Sequence, residues 1–276
     1  MPQAKPLPQF DRPPLNEVAF GIQFDPLKNL RVGHMGLYWQ KIRQNYPHAE
    51  EHIPVAHLVE QKELVAARPF EGEAISLEAG PLAPRCWFVS EDGLELVQLQ
   101  SDRFLRNWRQ IQGKEIYPRY VSLFKKFQKD WKDFLSFLDE ERIGPVNIDQ
   151  CELTYINHVP QGEGWSEPKD LAKVFKSCAD VASFDFLPGP ELTSWRTSYL
   201  LPSGRGRLHV QVKPGIRNRD RRPIIVLDMT ARGIPVSTHQ EDVESWFATA
   251  HEWIVRGFTD LTTAHMHKLW GRNDGR

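Results

Sequence analysis

Residues 120–138 read YVSLFKKFQKDWKDFLSFL, and the spacing within this run decides the fold. Tyr120, Leu123, Phe124, Phe127, Trp131, Phe134, Leu135 and Leu138 recur every three or four positions. Lys125, Lys129, Lys132 and Asp133 fall opposite them. That period makes a helix with one buried stripe. Gly144-Pro145 ends it, since glycine suits the position past a helix and proline cannot continue one. A second stripe follows the same rule: Val243, Trp246, Phe247, Ala250, Ile254, Phe258, Leu261 and His265.

Strand signals precede each helix. Val18, Phe20, Ile22 and Phe24 alternate with Ala19, Gly21 and Gln23, which predicts a strand with one buried face. A short helix over Leu37, Trp39, Ile42 and Tyr46 stops before Pro47. Residues 47–85 read as a long loop with one or two added strands, around 53–55 and 75–77. Residues 86–90 and 94–99 form a hairpin about Glu91-Asp92-Gly93, and residues 104–108 continue the meander. Downstream, Cys151, Leu153 and Tyr155 open a similar order. A short helix at Leu171, Val174 and Phe175 and strands at 192–201, 208–212 and 224–229 follow.

The fold class expected is therefore α+β, from tandem β-α-β-β-β-α halves. One such unit leaves a sheet face and a helix stripe bare, so two would share one curved antiparallel sheet gripping two long helices. The halves span residues 13–145 and 146–271 and form one pseudo-symmetric domain. This arrangement resembles duplicated helix-grip folds of the TATA-binding-protein or START-like kind, a likeness that carries no function.

Composition excludes several classes. The chain has 276 residues, 40% hydrophobic and 26% charged, with a formal net charge of −1. No global field draws it to nucleic acid or an anionic membrane. Cys86, Cys151 and Cys178 are too few and too scattered for a disulfide framework or a zinc site. The opening residues are proline-rich, lack an apolar signal core and are expected to lie loosely on the surface. No apolar run nears membrane-spanning length. A cytoplasmic protein with no membrane contact and no cofactor is expected.

Three segments resemble a sporadically distributed bacterial family of uncharacterised proteins. They are Pro13-Pro14-Leu15-Asn16-Glu17-Val18, the Tyr155-Ile156-Asn157 strand, and a closing helix from Trp253 to Trp270. The chain carries Thr154 where that family often has arginine. The resemblance implies a patchily inherited accessory protein, of the sort carried with mobile elements or defence loci.

No GxSxG, P-loop, dinucleotide or HExxH motif is present, so no catalytic residue is assigned. Gly204-Arg205-Gly206 lies between strands, not before a helix, and offers no phosphate cradle. His48, His52 and His57 are spaced irregularly, and His265 and His267 lie two apart on a helix. Neither set is a metal site. Two clusters remain. Arg103, Trp108, Arg109, Tyr117, Arg119, Trp195 and Arg196 have the composition of a protein-binding surface, with Asn107, Tyr120 and Tyr199 beside them. Arg205, Arg207, Lys213, Arg217, Arg219, Arg221 and Arg222 crowd a hairpin. We read them first as solvated charges that discourage edge pairing. Arg217, Arg219, Arg221 and Arg222 are the residues that would clamp an anion or nucleic acid. The preferred function is a non-enzymatic module that binds or senses a protein partner. The alternatives are a helix-grip carrier or sensor of an apolar small molecule, and an enzyme whose site the sequence does not display.

Overall fold

The computed structural model describes residues 6–60, 84–178, 186, 188 and 190–274. In chain order its strands are β1 (Gln9–Phe10), β2 (Leu15–Phe24), β3 (His48–His52), β4 (Arg85–Val89), β5 (Glu95–Gln100), β6 (Arg103–Arg109), β7 (Ile148–Pro160), β8 (Trp195–Leu200), β9 (Gly206–Ile216), β10 (Pro223–Gly233) and β11 (Arg272–Asn273). The α-helices are α1 (Val32–Ile42), α2 (Tyr120–Glu140), α3 (Leu171–Val174), α4 (Gln240–Leu261) and α5 (Ala264–Leu269). The protein is α+β. Nine strands form one antiparallel sheet in the order β3-β4-β5-β6-β2-β7-β10-β9-β8.

Strands β2 and β7 meet at the middle of that order, with Val18 opposite Tyr155, Phe20 opposite Leu153 and Ile22 opposite Cys151. These six side chains are all buried. The Phe20 ring lies 5.4 Å from Phe127 of α2 and 5.9 Å from Phe247 of α4, so both helices cover the same sheet face. One buried cluster runs from Phe10 to Trp270. Each fully buried phenylalanine contributes roughly 1.5–3 kcal/mol.

The sequence hairpin at Glu91-Asp92-Gly93 is present. Asp92 accepts from the Leu94 amide at 3.0 Å, and Gly93 takes a φ of +71°. Several expectations need correction. Residues 9–12 of the N-terminal segment are not loose: β1 pairs with β11, the Asp11 and Arg12 amides bond the Gly271 and Trp270 carbonyls, and Phe10 is buried against Phe258 and Trp270, while residues 1–5 lie outside the described residues. One aromatic ring in a proline-rich stretch is enough to anchor it. The closing helix does not run through His265. It ends at Leu261, where the Thr262 hydroxyl bonds the Phe258 carbonyl, and Thr263 caps a separate α5 by accepting from the Met266 amide. Strand β2 is covered on both faces, because residues 53–60 cross the second face. There the Gln100 amide donates to the Val55 carbonyl, Arg103 to Ala56 and Gln150 to Leu58. The stretch 53–55 is therefore not a strand, and the one suggested at 75–77 lies outside the described residues. Strand β9 is no sheet edge, since β8 lies beyond it.

The stripe on α2 also differs in detail. Leu135 is exposed while Asp130 is buried. The cause is Arg106, 1% exposed on the helix-facing side of β6. Its Nε donates to Asp130 at 2.8 Å and its Nη2 to Glu95 at 2.6 Å, while the Tyr46 hydroxyl donates to Asp130 at 2.7 Å. Removing one member strands a charge in a dry core, which costs about 3–5 kcal/mol. Asp130→Ala is expected to lower urea-unfolding stability by roughly that amount. The double variant Arg106→Met/Asp130→Leu should recover most of the loss.

Candidate functional site

Helix α2 begins at Tyr120, whereas α4 continues past that level to Leu261. Along α4, Phe247 fills the gap against Phe127 at 5.2 Å. One turn on, His251 stacks on Tyr120 at 3.8 Å with the rings 8° from parallel. Beyond that pair a cavity of about 300 Å³ opens between helices and sheet. Leu15, Met229, Ile254, Val255 and Phe258 wall it, and Leu7 and Phe10 of the N-terminal segment close over it. Few polar groups reach it. The Tyr117 and Tyr155 hydroxyls bond each other at 2.9 Å, and the buried Tyr120 hydroxyl has no partner among the described residues. An apolar enclosure with a few convergent polar atoms is the usual form of a small-molecule site.

A second, polar cavity of about 430 Å³ adjoins the first, and Pro13, Tyr117 and Arg119 belong to both. Arg12, Lys114, Arg217, Arg219 and His158 bring positive or donor groups, and Asp11, Glu115 and Glu163 the acids. Arg119 separates the two cavities, and its backbone is strained, with φ 71° and ψ 152°. That region is almost reserved for glycine and costs on the order of 1–3 kcal/mol elsewhere. Its guanidinium donates to the Phe10 carbonyl at 3.2 Å and lies 6.0 Å from the Tyr117 ring.

The sequence clusters are redistributed. Tyr117, Arg119, Arg217 and Arg219, drawn from both sets, meet around the polar cavity. Trp108 is buried beside Tyr117 at 5.6 Å. Arg103 and Arg196 lie on the other sheet face, around a hollow shared with Glu152, Asp228 and Arg232. Arg109 is there too, 5.7 Å from the Trp87 ring, while Trp195 packs on Phe175. Arg205 and Arg207 stand at the opposite end of β9 from Arg217, on the order of 30 Å away at strand spacing. Arg207 pairs with Glu60 there. Arg221 is exposed at a φ of 58°, and Arg222 reaches Glu163 at 3.4 Å. Among the described residues, no group of three or more His, Cys, Asp or Glu could hold a metal ion. His57 instead bridges Asp102 at 2.7 Å and Asp149 at 3.2 Å. No helix among the described residues is long and apolar enough to cross a membrane.

Sequence reasoning missed His251, Asn157, Met229 and Phe10. The signal for His251 was available: it falls four residues after Phe247 and three before Ile254, inside the apolar stripe of α4. No protein-family model matches the chain, and no curated protein is significantly similar to it.

Burial pushes the His251 imidazole down to about 4. Burial, then Arg217 and Arg219, hold His158 near the same value. Both are neutral in the folded chain at pH 7, whereas an unfolded histidine titrates near 6.5. The unfolded chain binds more protons between those values, so stability is full above about pH 6.5 and falls as the pH drops toward 4. His251, the more deeply buried of the two, costs up to about 3 kcal/mol at the acid end. The thermal midpoint should therefore decline across this window, and His251→Phe, which keeps the ring stack, should flatten the decline.

Proposed function

We propose that the protein binds a mainly apolar small molecule between α2, α4 and the sheet, as a carrier or sensor. The observation that carries this reading is the cavity itself. Protein interiors pack with few voids larger than a water molecule. Here a half-open hollow of about 300 Å³ is left between helices, sheet and N-terminal segment, and the Tyr120 hydroxyl at its wall has no partner among the described residues. A protein-partner role has less support, because the aromatic and arginine residues that suggested it fall on different faces and Trp108 is buried.

The same reading extends to architecture. Residues 13–145 and 146–271 are duplicated units sharing one core, with the sheet curved around the two long helices. The strand order supports this. On either side of the central β2–β7 pair lies the last strand before that unit's long helix, β6 on one side and β10 on the other. The cavity then occupies the groove between two related helices, a place where bundles commonly bind ligands.

Nile red, an uncharged apolar dye, tests the reading. We expect saturable one-site fluorescence enhancement, and a loss of about tenfold in affinity for Val255→Phe, which projects a ring into the cavity. Native mass spectrometry of the protein purified from cells should carry an added small-molecule mass. Unsaturable dye binding, or equal affinity in the variant at unchanged thermal midpoint, would overturn the assignment.

A further inference from the structure

We propose that the ligand of the apolar cavity is an amphiphile whose single anionic head, a carboxylate or phosphate, sits in the adjoining polar cavity against Arg219 and Arg119. The inference rests on the small-molecule reading above and adds the chemical class of the ligand. Three independent observations carry it.

First, the two cavities are neighbours of opposite character. Their common edge is Pro13, Tyr117 and Arg119, so a molecule whose tail lies among Met229, Ile254 and Phe258 presents its other end to the cationic side. Second, the acids of the polar cavity are already engaged, whereas one arginine is not. Arg217 is held by Asp220 through two bonds of 3.0 and 2.6 Å. The Glu115 carboxylate accepts the Gln112, Gly113 and Lys114 amides at 2.7–3.0 Å. Asp11 accepts from Asn273, and Glu163 from Arg222. Arg219 forms no ion pair among the described residues. Its guanidinium lies over the bare backbone of Gly113, at a φ of +82°, where any side chain would overlap it. Third, the Nδ1 atom of His158, in the lining of the same cavity, is buried without a hydrogen-bond partner among the described residues. A buried polar atom left unpaired is costly, and an oxygen of the ligand would satisfy it.

An arginine fork matches the geometry of carboxylate and phosphate oxygens. The strained Arg119 backbone has an account on the same terms. Its conformation aims a cation at the boundary between tail and head, and relaxation would release that position.

Displacement of Nile red by decanol, decanoate and decyl phosphate separates the possibilities. These probes share a tail and differ in the head. We expect the anions to bind at least tenfold more tightly than decanol, the stronger of the two identifying the head group. Arg219→Gln should abolish that preference while leaving decanol affinity unchanged. Gly113→Ala, which displaces the Arg219 side chain, should reproduce the effect with Arg219 still present. Equal affinities for decanol and both anions, or an anion preference that survives Arg219→Gln, would overturn the head-group assignment and leave the cavity reading standing. Failure of all three probes to displace the dye would remove the cavity reading and this inference with it.

Discussion

Phe20 stands at the point on which the rest of the structure depends. It belongs to the central strand β2, which pairs with β6 on one side and β7 on the other, and its ring meets α2 and α4 together. An antiparallel sheet of nine strands has one broad apolar face, and neither helix alone presents enough surface to cover it. Closing both helices over the same ring joins the two ends of the chain into one buried cluster. Contacts separated by more than a hundred residues thereby hold the sheet in one piece.

The same closure leaves the cavity. Phe247 and Phe127 bring the helices together where Phe20 sits, but the next contact is the flat stack of His251 on Tyr120. Beyond it the walls include Ile254, Phe258 and Met229, with Tyr120 and Val121 from the first turn of α2. Phe10 covers the end of the opening from an N-terminal segment held by β11 and by the Phe258 and Trp270 rings. The cavity thus lies where α4 runs on beyond the start of α2, and its composition follows from the apolar stripe of α4.

Charge is distributed by a comparable logic. On the helix-facing side a single arginine, Arg106, is tolerated because Asp130 and Glu95 meet it at hydrogen-bond distance. On the opposite side, polar side chains of β5, β6 and β7 are crossed by residues 53–60, whose carbonyls accept from Gln100, Arg103 and Gln150. At the turn between β9 and β10, Arg217 is paired with Asp220 while Arg219 rests on Gly113. In the last of these regions Arg219, which forms no ion pair among the described residues, stands beside an open cavity.

By itself the sequence determined the element types and the identity of the core. Three-four spacing at 120–138 and 243–258 and alternation at 18–24 are local consequences of backbone periodicity, and they appear as α2, α4 and β2. It also contained a polar residue within the apolar stripe of α4, His251. Only the tertiary structure decided which charges would be neighbours. Arg119 and Arg219 are a hundred residues apart in the chain yet border one cavity, whereas Arg207 and Arg217, ten apart, stand at opposite ends of a strand. The same distinction explains the breaks in the pattern. Asp130 is buried because Arg106 meets it from the helix-facing side of the sheet, and Phe10 is anchored because Phe258 and Trp270 return beside it. Periodicity is a property of neighbouring residues, and these positions are set by partners brought together through long-range strand pairing and helix packing.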